Sequence, residues 1–162
     1  LRIEDFNGLP ADDAAALVRA CADIDAWVDA IIARRPYADV DALVLTAEQL
    51  SERWTDADVD QALSHHPRIG ERATGAGASA SAREQAGVDP ADAVLADELR
   101  AGNTAYEEKF GRIYLVRAKG RSGPELLSLL QERLTHDPAT EYGVMVGELR
   151  EIAVLRVKEL FG

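Results

Sequence analysis

Three groups of residues in this chain could do chemistry. The first is Ser64-His65-His66-Pro67-Arg68-Ile69-Gly70-Glu71, which sets two of the three histidines side by side ahead of a proline. A histidine at a helix end titrates near neutrality and can serve as an acid or base. It can equally cap the negative end of the helix dipole, and periodicity alone does not choose. Successive helical side chains diverge by about 100°, so His65 and His66 cannot both face one ion. No H-E-x-x-H spacing is present, His136 stands in a turn-like Thr-His-Asp-Pro, and Cys21 is the lone cysteine. A metal site is therefore not expected.

The second group is Ser81, Glu84, Gln85 and Val88, spaced i, i+3, i+4 and i+7 on one helical face. Ser81 and Glu84 have the spacing of a capping box, each side chain satisfying a backbone donor at a helix start. The same face could instead present a hydroxyl, a carboxylate and an amide to a pocket. The third is Arg156. It falls in a stripe with Met145, Leu149, Ile152 and Leu160, so its guanidinium needs an anionic or carbonyl partner if it is buried. An internal ion pair, a side chain reaching to the rim and a bound anion all fit that position.

The elements that must carry these residues read as helix after helix. Residues 10–36 are Ala-rich, with acids at the start and arginines before Pro36, and form two short helices or one bent one. Asp23 is a candidate cap for the second. Val40, Leu43, Val44, Ala47 and Leu50 recur at steps of three and four, marking an amphipathic helix. Thr55 or Asp56 caps the next, which must end near His66 because Pro67 disfavours helical geometry before it. Residues 70–80 form a Gly-rich surface loop without the Gly-Lys-Ser/Thr ending of a phosphate loop. A short helix over 81–87 follows. Pro90 opens a long helix that Gly111 closes. Residues 112–116 are β-favouring but brief and have no partner strand, which makes them an extended connector. Two closing helices follow, the first with Pro124 in its opening turn. The fold class is all-α: one helical bundle domain over residues 1–162.

Composition narrows the function. Eighteen Lys and Arg stand against 29 Asp and Glu, a net charge of −11, which argues against a nucleic-acid binder. A small anionic substrate remains possible, since one or two placed arginines can hold it. No apolar run of about 18 residues suggests a membrane span, and the first residues lack the pattern of a secretory signal. With one cysteine, the expectation is a cytoplasmic protein.

Taken together, His66-Pro67-x-Ile69-Gly70, Ser81-x-x-Glu84-Gln85, Asn103-x-x-Tyr106-x-x-Lys109-Phe110-Gly111, Gly120-Arg121-Ser122 and Leu155-Arg156 resemble the OHCU decarboxylase family. OHCU is 2-oxo-4-hydroxy-4-carboxy-5-ureidoimidazoline, an intermediate of urate breakdown. The resemblance runs from about His66 to the C-terminus. Many members carry an F-P-F-like run where this chain has Arg112-Ile113-Tyr114, and Asn-Asp where it has His136-Asp137.

The resemblance implies an all-α homodimer that needs no cofactor and acts on a small molecule, giving (S)-allantoin. It assigns His66 as the acid/base and Glu84 as its orienting carboxylate. Pro67, Ser81, Gln85 and Arg156 fall at the substrate, and the backbone around Tyr114, Leu115 and Val116 contacts it. His65 becomes scaffold. The competing class is a non-catalytic helical interaction module, which would use the acidic amphipathic helices but leave Arg156 and the His-Pro turn unexplained.

Overall fold

The computed structural model describes residues 1–71 and 77–162. Nine α-helices and one 3₁₀ turn are found among them, with no β-strand, in agreement with the all-α expectation. None of these helices is long and apolar enough to cross a membrane. The chain divides into two compact units. One comprises residues 1–65, 77 and 150–162; the other comprises residues 66–71 and 78–149.

The first unit contains α1 (Ile3–Gly8), α2 (Ala11–Arg19), α3 (Asp25–Ala33), α4 (Val40–Ser51) and α5 (Asp56–Leu63). The segment 10–36 is thus two short helices. Asp23 does not cap the second: Ile24 holds the N-cap position with no side-chain bond. The Asp23 carboxylate is drawn instead to two side chains, with Oδ1 2.6 Å from Arg19 Nη1 and Oδ2 2.5 Å from His65 Nε2. Helix α4 buries Leu43, Val44, Ala47 and Leu50, the expected stripe, and Trp27 from α3 donates its indole N–H to the Ala47 carbonyl at 3.0 Å. Thr55 caps α5 in a reciprocal box with Asp58. The helix ends at Leu63, ahead of Pro67, and leaves His65 and His66 beyond its end.

The second unit contains α6 (Ala78–Glu84), the 3₁₀ turn Gln85–Gly87, α7 (Ala93–Phe110), α8 (Gly123–Arg133) and the first part of α9 (Pro138–Glu159). Two boundaries differ from the sequence expectation. Helix α6 begins at Ala78, so residues 78–80 of the Gly-rich stretch are helical; the remainder of that loop, residues 72–76, lies outside the described residues. Helix α7 begins at Ala93, because Asp92 accepts a bond from the Leu95 N–H and takes the capping role. Pro90 stays in the preceding turn. Gly111 closes α7 as expected, its φ of 71° supplying the left-handed conformation that side chains resist.

Leu95, Leu99, Asn103 and Tyr106 form the buried stripe of α7. They meet Leu126 and Leu130 of α8, together with Ile69, Tyr114, Val116 and Ala118, in one core cluster. Residues 113–118 have no regular secondary structure, as the sequence suggested, yet Tyr114, Leu115 and Val116 are all buried.

Three buried tyrosines make the fold sensitive to base. Burial is the main cause of the raised pKa of Tyr37, pushed up to about 12, and it also raises Tyr106 and Tyr114. In the unfolded chain these phenols ionise near pH 10. Their contribution to stability is therefore complete below about pH 10 and is lost as pH climbs towards each folded value. The urea midpoint should fall steadily from about pH 10 to about pH 12, and Tyr37→Phe should flatten that slope.

Candidate active site

Eight of the nine residues singled out from the sequence belong to the second unit: His66, Pro67, Ser81, Glu84, Gln85, Tyr114, Leu115 and Val116. Arg156 belongs to the first. Each set can be built from its own neighbours.

The His-Pro turn is held by three side chains. Arg68 reaches Glu107 of α7 through Nε at 2.5 Å and Nη2 at 3.2 Å. Asn103, one turn earlier on the same helix, donates Nδ2 to the Ile69 carbonyl over a long 3.4 Å. The Gly70 N–H donates to Gln85 Oε1 at 2.8 Å. A segment with no helix of its own is thereby fixed from both sides, and His66 sits half-buried at its start. Gln85, expected at the substrate, spends its amide oxygen on this turn and keeps Nε2 as a donor.

The capping box at Ser81 does not form. Because α6 starts at Ala78, Ser81 lies at the fourth helical position and is 3% exposed. Glu84 follows one helical turn later at the end of α6, half-buried. The backbone N–H groups whose satisfaction would have explained this pair are not at its position.

The connector offers main-chain groups. Tyr114 turns its ring into the core, 5.5 Å from Tyr106, and its hydroxyl donates to the Leu126 carbonyl at 3.0 Å. The Arg117 N–H donates to Glu148 Oε2 at 3.0 Å. Leu115 and Val116 are 4% and 3% exposed, and their N–H groups meet no acceptor among the described residues. Buried amides are nearly always paired, so two in succession mark backbone suited to a ligand carbonyl or carboxylate.

In the first unit Arg156 is 5% exposed, which removes the reading of a side chain reaching to the rim. Its Nη1 donates to the Ala20 carbonyl at 3.3 Å. Gly77 lies against it so closely that a Cβ there would come 2.7 Å from Nη1 and 2.8 Å from the Ala20 oxygen. His65, paired with Asp23, has a structural partner.

Sequence reasoning missed a buried ionic cluster in the second unit. Arg133 of α8 donates Nε to Glu141 Oε1 at 2.7 Å, and Tyr106 donates its hydroxyl to the same oxygen at 2.6 Å. His136 Nδ1 lies 3.0 Å from Glu141 Oε2. The signal was present: one step of four back from Met145 on the stripe that led to Arg156 is Glu141, 1% exposed. Likewise Leu126, Leu130 and Arg133 share a face of α8. Among the described residues no group of three or more His, Cys, Asp or Glu side chains could hold a metal ion.

Comparison with known proteins converges on one family. The family model for OHCU decarboxylase matches residues 7–158. A 2-oxo-4-hydroxy-4-carboxy-5-ureidoimidazoline decarboxylase of Haloferax volcanii is 27% identical over 127 residues, covering 78% of this chain and 76% of its own length. A uric acid degradation bifunctional protein of Bacillus sp. (strain TB-90) is 23% identical over 99% of this chain, which spans about a third (32%) of that protein. A crystal structure of OHCU decarboxylase in the presence of (S)-allantoin superposes with a TM-score of 0.75 at 26% identity, covering 88% of this chain and 95% of that one. With the family match running through the His-Pro turn, α6, the connector and α9, the chain belongs to the OHCU decarboxylase family.

Proposed function

We propose that this chain, working as one domain, decarboxylates OHCU to (S)-allantoin, with His66 as acid/base and Glu84 orienting it. The observation that carries the reading is that Leu115 and Val116 are buried and their N–H groups meet no acceptor among the described residues, in the segment where the family resemblance expects backbone contacts. Family membership supports the substrate class.

The chemistry needs little from the protein beyond grip and proton handling. The departing carboxylate sits on a ring carbon next to a C=N bond. As the C–CO₂ bond breaks, its electron pair enters the ring, the imine nitrogen takes a proton, and an enol remains. Loss of the enol hydroxyl proton and protonation of the ureido-bearing carbon then give allantoin. The substrate is its own electron sink, so this route calls on no cofactor. His66 moves the hydroxyl or ring proton, and Glu84 holds the imidazole in the right orientation. Ser81, Gln85 Nε2 and the two backbone amides fix the ureido and ring carbonyls, Pro67 shapes the wall beside His66, and Arg156 holds the carboxylate or developing ring charge. The N–H donors are set in place before substrate arrives, which is the condition for orientation to accelerate a reaction.

Freshly generated OHCU, followed by the circular dichroism of (S)-allantoin, tests the activity directly. His66→Ala should lower the rate by about 10²–10⁴-fold, the range of general acid–base help. Glu84→Gln should cut the rate strongly while leaving the melting temperature unchanged, since no capping box depends on it. Equal rates from wild type and His66→Ala would remove His66 from the mechanism.

Arg156 supplies a separate check. Gly77→Ala places a methyl where the guanidinium now lies, at a φ of +79°. It should reduce kcat/KM by about tenfold to a hundredfold through misplacement of Arg156, with the helical circular dichroism signal retained. The working form is taken to be a cytoplasmic homodimer, as the resemblance implies, and sedimentation velocity should give twice the 17.5 kDa mass of the chain.

A further inference from the structure

We infer that Arg133 is a positioning residue for this reaction: anchored by Glu141, it fixes the Leu115 carbonyl and so aims the Val116 N–H at the substrate. The inference rests on the decarboxylase reading above and deepens it.

Arg133 is 4% exposed, and its surroundings determine where each nitrogen goes. Nε bonds Glu141 Oε1 at 2.7 Å; Nη2 lies 2.5 Å from the same oxygen but is not aligned for a second hydrogen bond. Nη1 points the other way and donates to the Leu115 carbonyl at 2.6 Å. The guanidinium carbon stands 4.9 Å from the Tyr114 ring centroid and 5.8 Å from that of Tyr106, so two aromatic faces limit its rotation. Glu141 is itself immobilised by Tyr106 and His136, and with its carboxylate oxygens engaged it holds the guanidinium in one pose. Burial, the largest single influence, would lower the pKa of Arg133, but the hydrogen bond to Glu141 together with the charge of Glu141 and the two tyrosines raises it overall, and the group stays charged.

The consequence follows from peptide geometry. In a planar trans peptide the carbonyl and the following N–H point in opposite directions. Drawing the Leu115 oxygen towards Arg133 turns the Val116 N–H away from the cluster, and that N–H has no acceptor among the described residues. An ion pair serving stability alone would be complete with Glu141; the Leu115 contact ties this one to the segment with open donors. Arginine is required because its planar fork holds a carboxylate and a carbonyl at once, which a lysine ammonium on a flexible stem does not reproduce.

The test compares Arg133→Lys, Tyr106→Phe and wild type on OHCU. Tyr106→Phe removes one bond to Glu141 but leaves Arg133 and Leu115 in place, so it serves as a control for damage to the cluster. Arg133→Lys should raise KM about tenfold with kcat little changed, the pattern of lost binding rather than lost active molecules, and Tyr106→Phe should leave KM as it is. If wild type does not turn over OHCU, the decarboxylase reading falls and the inference falls with it. If wild type is active and folded Arg133→Lys keeps its KM, or Tyr106→Phe raises KM equally, the positioning role alone is overturned. Should Arg133→Lys fail to fold, ¹⁵N spectra of wild type with added (S)-allantoin decide. A shift of the Val116 amide resonance supports the role, and an unmoved resonance overturns it.

Discussion

In a helical protein the peptide groups of a helix satisfy one another, but residues 113–118 run largely buried with no helix of their own and no strand among the described residues. Every polar group along that stretch must find a partner elsewhere or remain open. The second unit is arranged around that demand. Arg133 answers the Leu115 carbonyl, Glu148 answers the Arg117 N–H, and Arg121 Nη1 returns to the Arg117 carbonyl at 3.1 Å. All three partners are charged side chains, and two of them, Arg133 and Glu148, stand on helices. Burying them is costly unless each is paired, and here each charge meets an opposite charge or a main-chain dipole.

How much of this was legible depends on which physical rule governs each element. Periodicity located α4 and the stripe of α9 because one face of each packs against apolar neighbours. Gly111 and Pro124 marked a helix end and a helix start because their backbone chemistry allows few alternatives. Ser81 misled, since a serine three residues before a glutamate reads the same at a helix start and inside a helix; only the position of Ala78 distinguishes them. Pro90 misled for a related reason, with Asp92 offering the stronger cap two residues later.

The candidate site divides along similar lines. Arg156 stood out because a charged group in an apolar stripe breaks a local rule, whereas His66, Ser81, Glu84 and Gln85 each had an ordinary alternative and were assigned to the substrate only by the family resemblance. What holds them was not legible. The clamp of Asn103 and Gln85 on the His-Pro turn joins residues 34 and 15 positions apart, and no helical period predicts a contact across a loop. Glu141 escaped because the stripe was read forwards from Met145. A charged residue in the first turn of a helix also has the ordinary explanation of the dipole.

The open donors of the connector have a thermodynamic consequence. A buried N–H without an acceptor costs a fold about 1–3 kcal/mol, and the buried residues Leu115 and Val116 carry two N–H groups that meet no acceptor among the described residues. Under the proposed mode of binding, a ligand carbonyl would remove that penalty as it binds, which would link occupancy to folding stability. A melting temperature that rises with (S)-allantoin concentration would be the sign of that linkage.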